Sequence, residues 1–201
     1  MKLYYSPGAC SQAPHIILNE TNANFELVKV DFSTKKTEHG EDFNKINPNG
    51  YVPALQLDNG DVLTEGVAIM QYLADLKPEF DIAPKNASFA RAKLQEKLNY
   101  LTSELHKGFV PLFGNNTDEV KNAARENLAN KFSYLDSILE TTAYINGDKY
   151  SVADAYLFVI SNWTKMTGID LTRWKNVLSL VEKVLKRDAV QKALASEGLL
   201  A

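Results

Sequence analysis

The chain has 201 residues, 45% hydrophobic and 23% charged, with a formal net charge of −3. That length buries a sizeable core as one large domain or two small ones, and the composition is that of an ordinary soluble globular protein rather than a disordered one. A pI near 5.7 with acids and bases interspersed leaves no basic stripe for a phosphate backbone, so nucleic acid is excluded as an expected partner.

The opening MKLYYSPG is too short in its apolar run, and too soon broken by Pro7 and Gly8, to be a signal peptide. No later run approaches a membrane span, so a cytoplasmic protein with no membrane partner is expected. Residues 2–5, KLYY, read as a short strand, and CSQAPHIILNE continues with apolar residues at helical spacing. Pro14 fits only in the first helical turn, which places Cys10 or Ser11 at the N-cap. Cys10 is the single cysteine and cannot form an intramolecular disulfide, so it is a buried filler, a metal ligand or a working thiol. The amides and dipole at a helix start favour negative charge, and a thiolate or a bound anion would be stabilised there. His15 is expected on the helix surface and His39 in a loop.

FELVKVDF, residues 25–32, alternates as a strand, and VPALQLDNGDVL, 52–63, reads as a hairpin turning at Asp58-Asn59-Gly60. Val52-Pro53 opens that strand with a residue unable to donate to a ladder; a cis bond would aim the Val52 backbone groups outward to pair an extended peptide. Glu65-Gly66 opens the next helix, where glycine lets a ligand carboxylate approach the amide and Glu65 could hold an ammonium group. Ile69, Tyr72, Leu73 and Leu76 share one face of that helix. The order describes an α/β unit of four strands over residues 1–77, then a proline-containing linker at 78–87 and an all-helical domain over 88–201.

Along the long helix that opens the second domain, Leu94, Leu98, Leu101 and Leu105 form an apolar stripe. Asn99, Ser103 and His106, with Thr102 beside them, occupy a face rotated by roughly 120°, taking ~100° per residue. These are short, directional hydrogen-bonding groups rather than the lysines and glutamates of a solvated face. VADAYLFVISNW is apolar almost all round, as a central bundle helix would be, and Ser151 with Asp154 has capping-box spacing.

Cys10 after SPGA, Val52-Pro53, TEGVAIMQYLAD, the NY…ELHKGF stretch and the S-x-x-D box of SVADAYLF together resemble the bacterial glutathione transferases of the beta class, collinearly over the whole chain. The resemblance implies a thioredoxin-like N-terminal domain, an all-helical C-terminal domain, a homodimer, and glutathione bound mainly to the first domain as co-substrate, with no other cofactor. It implies that Cys10 lies near the glutathione sulfur, Val52 pairs with the cysteinyl backbone, Glu65 and Gly66 hold the γ-glutamyl end, and Lys35 reaches the glycyl carboxylate. Asn99, Ser103, Glu104, Leu105 and His106 would close the site. Gly66 departs from the wider superfamily, where many members carry serine, so here the backbone amide alone must hold that carboxylate.

A free thiol has a pKa of about 8.5, and lowering it by two units needs ~2.7 kcal/mol. A helix N-terminus supplies about 0.3–1 kcal/mol and a hydrogen bond to a charged group roughly 1.5–3 kcal/mol, so the two together suffice. Ser11, the first-turn amides and His106 are the expected sources. The activated thiolate would attack a small hydrophobic electrophile in a pocket lined by Phe109, Phe113, Tyr156 and Trp163. Two other readings remain: a glutathione-dependent thiol-disulfide reductase or reductive dehalogenase using Cys10 itself, and a non-catalytic ligand-binding or partner protein on the same fold. Cys10, His15, His39 and His106 lack metal-ligand spacing, and no phosphate-cradling glycine loop or dinucleotide fingerprint occurs, so no metal is expected.

Overall fold

A computed structural model describes residues 1–200, which divide into two compact units: Met1–Asp81 together with the chain from Arg187 onward, and Ile82–Lys186. In the first unit, β1 (Lys2–Tyr5) and β2 (Glu26–Asp31) pair in parallel, with Lys2 opposite Glu26 and Tyr5 opposite Lys29. Parallel neighbours need a crossover, and α1 (Gln12–Glu20) supplies it. β3 (Lys36–Thr37) adds to the outer side of β2, while β4 (Ala54–Gln56) runs antiparallel to β1 and turns back through Gly60 into β5 (Val62–Thr64). The order is β3-β2-β1-β4-β5. The sheet thus has five strands, not the expected four, because a two-residue strand carries no alternation to be read.

α2 (Gly66–Leu76) packs on α1, burying Ile69, Met70 and Leu73. Leu3, Ile16, Ile17 and Leu55 are fully buried. Tyr4, Val28, Val30, Phe43, Val52 and Ala54 form a further cluster, tying the segment between β3 and β4 to the sheet.

Residues from Arg187 onward were expected with the helical domain, yet they belong to the first unit, where the last helix, Asp188–Ser196, lies along α1. Its apolar face specifies burial but not which surface receives it. Arg187 pairs with Glu20 through Nε at 2.5 Å and Nη2 at 2.9 Å, and the Asn19 amide donates to the Ala189 carbonyl at 3.4 Å.

The second unit is helical. α3 (Phe89–Tyr100) starts at Ser88, whose hydroxyl accepts from the Arg91 amide, and runs through a π-helical turn, Leu101–His106, into α4 (Lys107–Phe113). α5 (Asp118–Leu139) packs on α4, with Gly108 against Leu128. α6 (Val152–Asn162) is buried from Val152 to Ser161, as its all-round apolar sequence requires. The short α7 (Thr164–Thr167) and then α8 (Lys175–Leu185) complete the unit; the last helix of the chain is α9. Ser151 and Asp154 form the capping box, and the other carboxylate oxygen of Asp154 accepts from the Ile145 amide at 2.8 Å. All four leucines of the stripe are fully buried.

Candidate active site

Between β1 and α1 the chain turns through Pro7 and Gly8, the latter at φ +70°, and presents Cys10 half-buried. Its thiol donates to the Val52 carbonyl at 3.4 Å, next to the cis Val52–Pro53 bond. That carbonyl was expected to face outward; it faces the thiol instead. Ser11 is the N-cap residue and Pro14 falls in the first turn. Ser11 was expected to stabilise an anion, but its fully buried hydroxyl donates to the Ser6 carbonyl at 3.2 Å and accepts from the Ser6 amide at 3.1 Å. A hydroxyl has one proton, and here the turn consumes it. The first-turn amides are likewise committed: Gln12 donates to the Ala9 carbonyl and Ala13 to the Cys10 carbonyl. What α1 retains for a negative charge is its dipole.

Lys35 reaches the same strip of the first unit. Its Nζ donates to the Gly50 carbonyl at 2.9 Å and stands 5.5 Å from the Tyr51 ring centre and 5.6 Å from that of Phe32. Glu65 is exposed at the N-cap of α2 with φ +65°, a conformation a non-glycine residue adopts only when its surroundings impose it. A β-carbon on Gly66 would sit 3.5 Å from Pro53 Cγ, an ordinary contact. The first unit therefore brings Lys35, Val52, Cys10 and the Glu65-Gly66 helix start onto consecutive positions along Gly50–Pro53.

In the second unit the residues expected on one face part company. The i→i+5 bonding of the π turn changes the angular step, so α-helical spacing no longer describes residues 101–106. The hydroxyls of Thr102 and Ser103 donate to the carbonyls of Leu98 and Asn99, and Asn99 is exposed. Glu104 pairs with Lys131 of α5 at 2.5 Å. Leu105, expected among the glutathione contacts, has no exposed surface and belongs to the leucine stripe.

His106 points instead toward α6. Its Nδ1 lies 2.6 Å from the Tyr156 hydroxyl, and its ring meets Trp163 edge-on at 4.8 Å. Burial, with the charge of Lys107 adding to it, holds the imidazole down to about 4. Phe109, Phe113 and Trp163 pack at 5.5–6.3 Å between ring centres. Phe109 is fully buried against Phe132 and backs this cluster rather than lining an opening; Phe113, 54% exposed, is its open edge. An open groove of about 440 Å³ lies elsewhere, between the π turn with α4 and α5, and Ser103, Glu104, Lys107, Pro111, Val120 and Asn127 line it.

Two residues escaped the sequence reading. His15, expected at the surface, is buried and pairs through Nδ1 with Glu197 at 2.8 Å; nothing local marks Glu197, which reads as the solvated end of a helix. Among the described residues, no group of three or more His, Cys, Asp and Glu is arranged to hold a metal ion, and no helix is long and apolar enough to cross a membrane.

Residues 1–75 match the glutathione S-transferase N-terminal domain family, and residues 90–189 match the C-terminal domain family. The chain is 44% identical over 200 residues to glutathione S-transferase GstA of Escherichia coli O157:H7, covering 99% of this chain and all of that one. It is 48% identical, at a TM-score of 0.96 and with both chains fully covered, to a sphingomonad glutathione S-transferase solved with glutathione. It is 46% identical, at a TM-score of 0.97 and again over both whole chains, to the beta-class glutathione S-transferase of Sphingomonas chungbukensis. With a thioredoxin-like sheet unit, a helical unit and these matches over its full length, the chain belongs to the glutathione S-transferase family, among relatives of the bacterial beta class.

Proposed function

We propose that this glutathione transferase joins the thiolate of glutathione to the electrophilic carbon of small hydrophobic acceptors, a detoxifying activity of the cytoplasm carried out by a homodimer. With an aryl halide, the carbon–sulfur bond forms as the carbon–halogen bond breaks, the halide leaves with its electron pair, and the thiol proton passes to solvent. The observation that carries this reading is the strip along Gly50–Pro53 in the first unit. There a cation (Lys35), the backbone at Tyr51–Val52, a thiol (Cys10) and a helix N-terminus beside a carboxylate (Gly66 and Glu65) follow one another. A tripeptide with a carboxylate at each end, an ammonium group at one of them and a central thiol asks for these groups in this order.

Of the expected sources of thiolate stabilisation, the α1 dipole and the imidazole of His106 remain. His106 acts as a neutral imidazole, kept uncharged by burial, and with the Tyr156 phenol donating to Nδ1 its proton on Nε2 would face the ligand. The aromatic cluster of Phe113, Tyr156 and Trp163 is the reading for the apolar acceptor, with Phe109 behind it.

Retention on immobilised glutathione, with turnover of a chloronitrobenzene, is the test. Replacing His106 by Ala should lower kcat far more than it weakens glutathione binding, and equal turnover rejects the role of His106. A second reading is favoured by the half-buried, accessible state of Cys10: thiol exchange through a mixed disulfide with glutathione. A glutathionylated Cys10 that turns over, with all activity lost in Cys10→Ala, would favour that chemistry over conjugation. A chain that neither binds glutathione nor turns over would leave ligand binding alone.

A further inference from the structure

Glu197 is a carboxylate with no exposed side-chain surface, and both of its oxygens are committed within the first unit. Oε2 accepts from the Gly8 amide at 2.9 Å and from the Gln12 side-chain amide at 3.0 Å; Oε1 meets His15 Nδ1 at 2.8 Å. Gly8 and Gln12 stand two residues before and two residues after Cys10. The carboxylate therefore grips both flanks of the turn that presents the thiol, and through His15 it grips the helix behind.

Burying a carboxylate costs several kcal/mol unless its hydrogen bonds are met, and an apolar side chain would join two helices more cheaply. Joining α1 to α9 does not need it either, because Arg187 with Glu20 and Asn19 with the Ala189 carbonyl already make that connection at the other end. Unlike those contacts, Glu197 accepts from the main chain of the cysteine turn itself, at Gly8. Leu199 lies close to the same glycine, its Cδ1 being 3.7 Å from where a β-carbon of Gly8 would stand.

We propose that Glu197 is a positioning residue for Cys10: the C-terminal segment, through this carboxylate, sets where the thiol sits against the Val52 carbonyl. Three donors converge on it, and their alignment fixes the pitch of the turn. Gln can replace Glu with little disturbance, since its carbonyl can serve Gly8 and Gln12 while its amide donates to Nδ1 of the other imidazole tautomer. Ala removes the acceptor that all three donors share. Asp draws the carboxylate back by one methylene and cannot serve both sides.

The inference takes Cys10 as a working thiol, but its test needs no turnover. Because Cys10 is the only cysteine, the rate of alkylation by iodoacetamide reports this site alone. Glu197→Ala, or Glu197→Asp if the first variant does not fold, should raise that rate about fivefold, the equivalent of one lost hydrogen bond. It should lower kcat for conjugation at the same time. Glu197→Gln should return both to wild-type values. Arg187→Gln, which loosens the same two helices at the far end, should leave both unchanged. An alkylation rate unaltered by Glu197→Ala or Glu197→Asp, or the same rise in Arg187→Gln, overturns the proposal. Alkylation that behaves as expected in a chain without conjugating activity would sink the transferase reading and leave this one standing.

Discussion

The Tyr156 hydroxyl lies 2.6 Å from Nδ1 of His106. Where the phenol donates this bond, the imidazole proton sits on Nε2 and is available to a ligand. With its ionisation held at about 4, the ring is neutral at every pH at which the enzyme would work. The pH profile of kcat/KM should therefore show a single ionisation, that of the glutathione thiol, with a limiting slope of one. Tyr156→Phe should lower kcat by about tenfold, the worth of one orienting hydrogen bond, with little change in KM for glutathione. A profile that needs a second ionisation to describe it would refute the neutral assignment.

The same burial has a consequence for stability. An unfolded chain protonates His106 near 6.5 and the folded chain only near 4, so the unfolded state holds more protons in that window. Stability is then full above about 6.5 and is lost as pH falls toward 4. Asp154 works the other way: burial pushes its carboxyl up to about 6 against the hydrogen bonds that pull it down, so its contribution is full below the unfolded value and lost as pH rises through 6. The two nearly cancel between about pH 4 and 6. Replacing His106 by Gln uncovers the second. In urea titrations, the stability of His106→Gln relative to wild type should improve by about 2–3 kcal/mol between pH 7 and about pH 4.5. An unchanged difference would show that His106 does not titrate as its burial demands.

Gly66 opens α2 with room for a side chain, since the added carbon would meet only Pro53 Cγ at 3.5 Å. Gly66→Ser should leave stability within about 0.5 kcal/mol of wild type. Its hydroxyl adds a donor at the helix start, so KM for glutathione should fall severalfold if the γ-glutamyl carboxylate docks there. A rise in KM would place that carboxylate elsewhere.

Gly108 is the opposite case. A β-carbon there would stand 2.8 Å from Leu128 Cδ2, and Leu128 is fully buried. Helix propensity alone would reward Gly108→Ala by roughly 0.5–1 kcal/mol, whereas overpacking costs about 1–3 kcal/mol, so the substitution should destabilise. Trimming the neighbour should reverse the sign: Gly108→Ala in a Leu128→Val background should be neutral or stabilising, which a thermal-unfolding double-mutant cycle measures.

Much of this fold could be read along the chain because the deciding interactions are short-range. The Gly60 turn of the hairpin, Pro14 in the first turn of α1, the capping box of Ser151 and Asp154 and the leucine stripe all rest on spacings of a few residues. β3 was missed for want of length, and the polar face of the long helix was misjudged because the π turn alters the angular step between Asn99 and His106. Ser11 is instructive: position alone made it a stabiliser of the anion, while the carbonyl of Ser6, five residues away, claimed its proton.

The sequence by itself singled out the candidate residues, Cys10 and His106 above all, and determined which local elements hold them, since helix starts, turns and apolar stripes are set by neighbours in the chain. Only the tertiary structure decided the burial that keeps His106 neutral, its aim at Tyr156 fifty positions away, and the seat of α9 against α1. It also decided the anchoring of Gly8 to Glu197 across 189 positions. An apolar face or a buried carboxylate announces that it needs a partner, but the choice of partner is a property of how whole elements pack, and no local pattern encodes it.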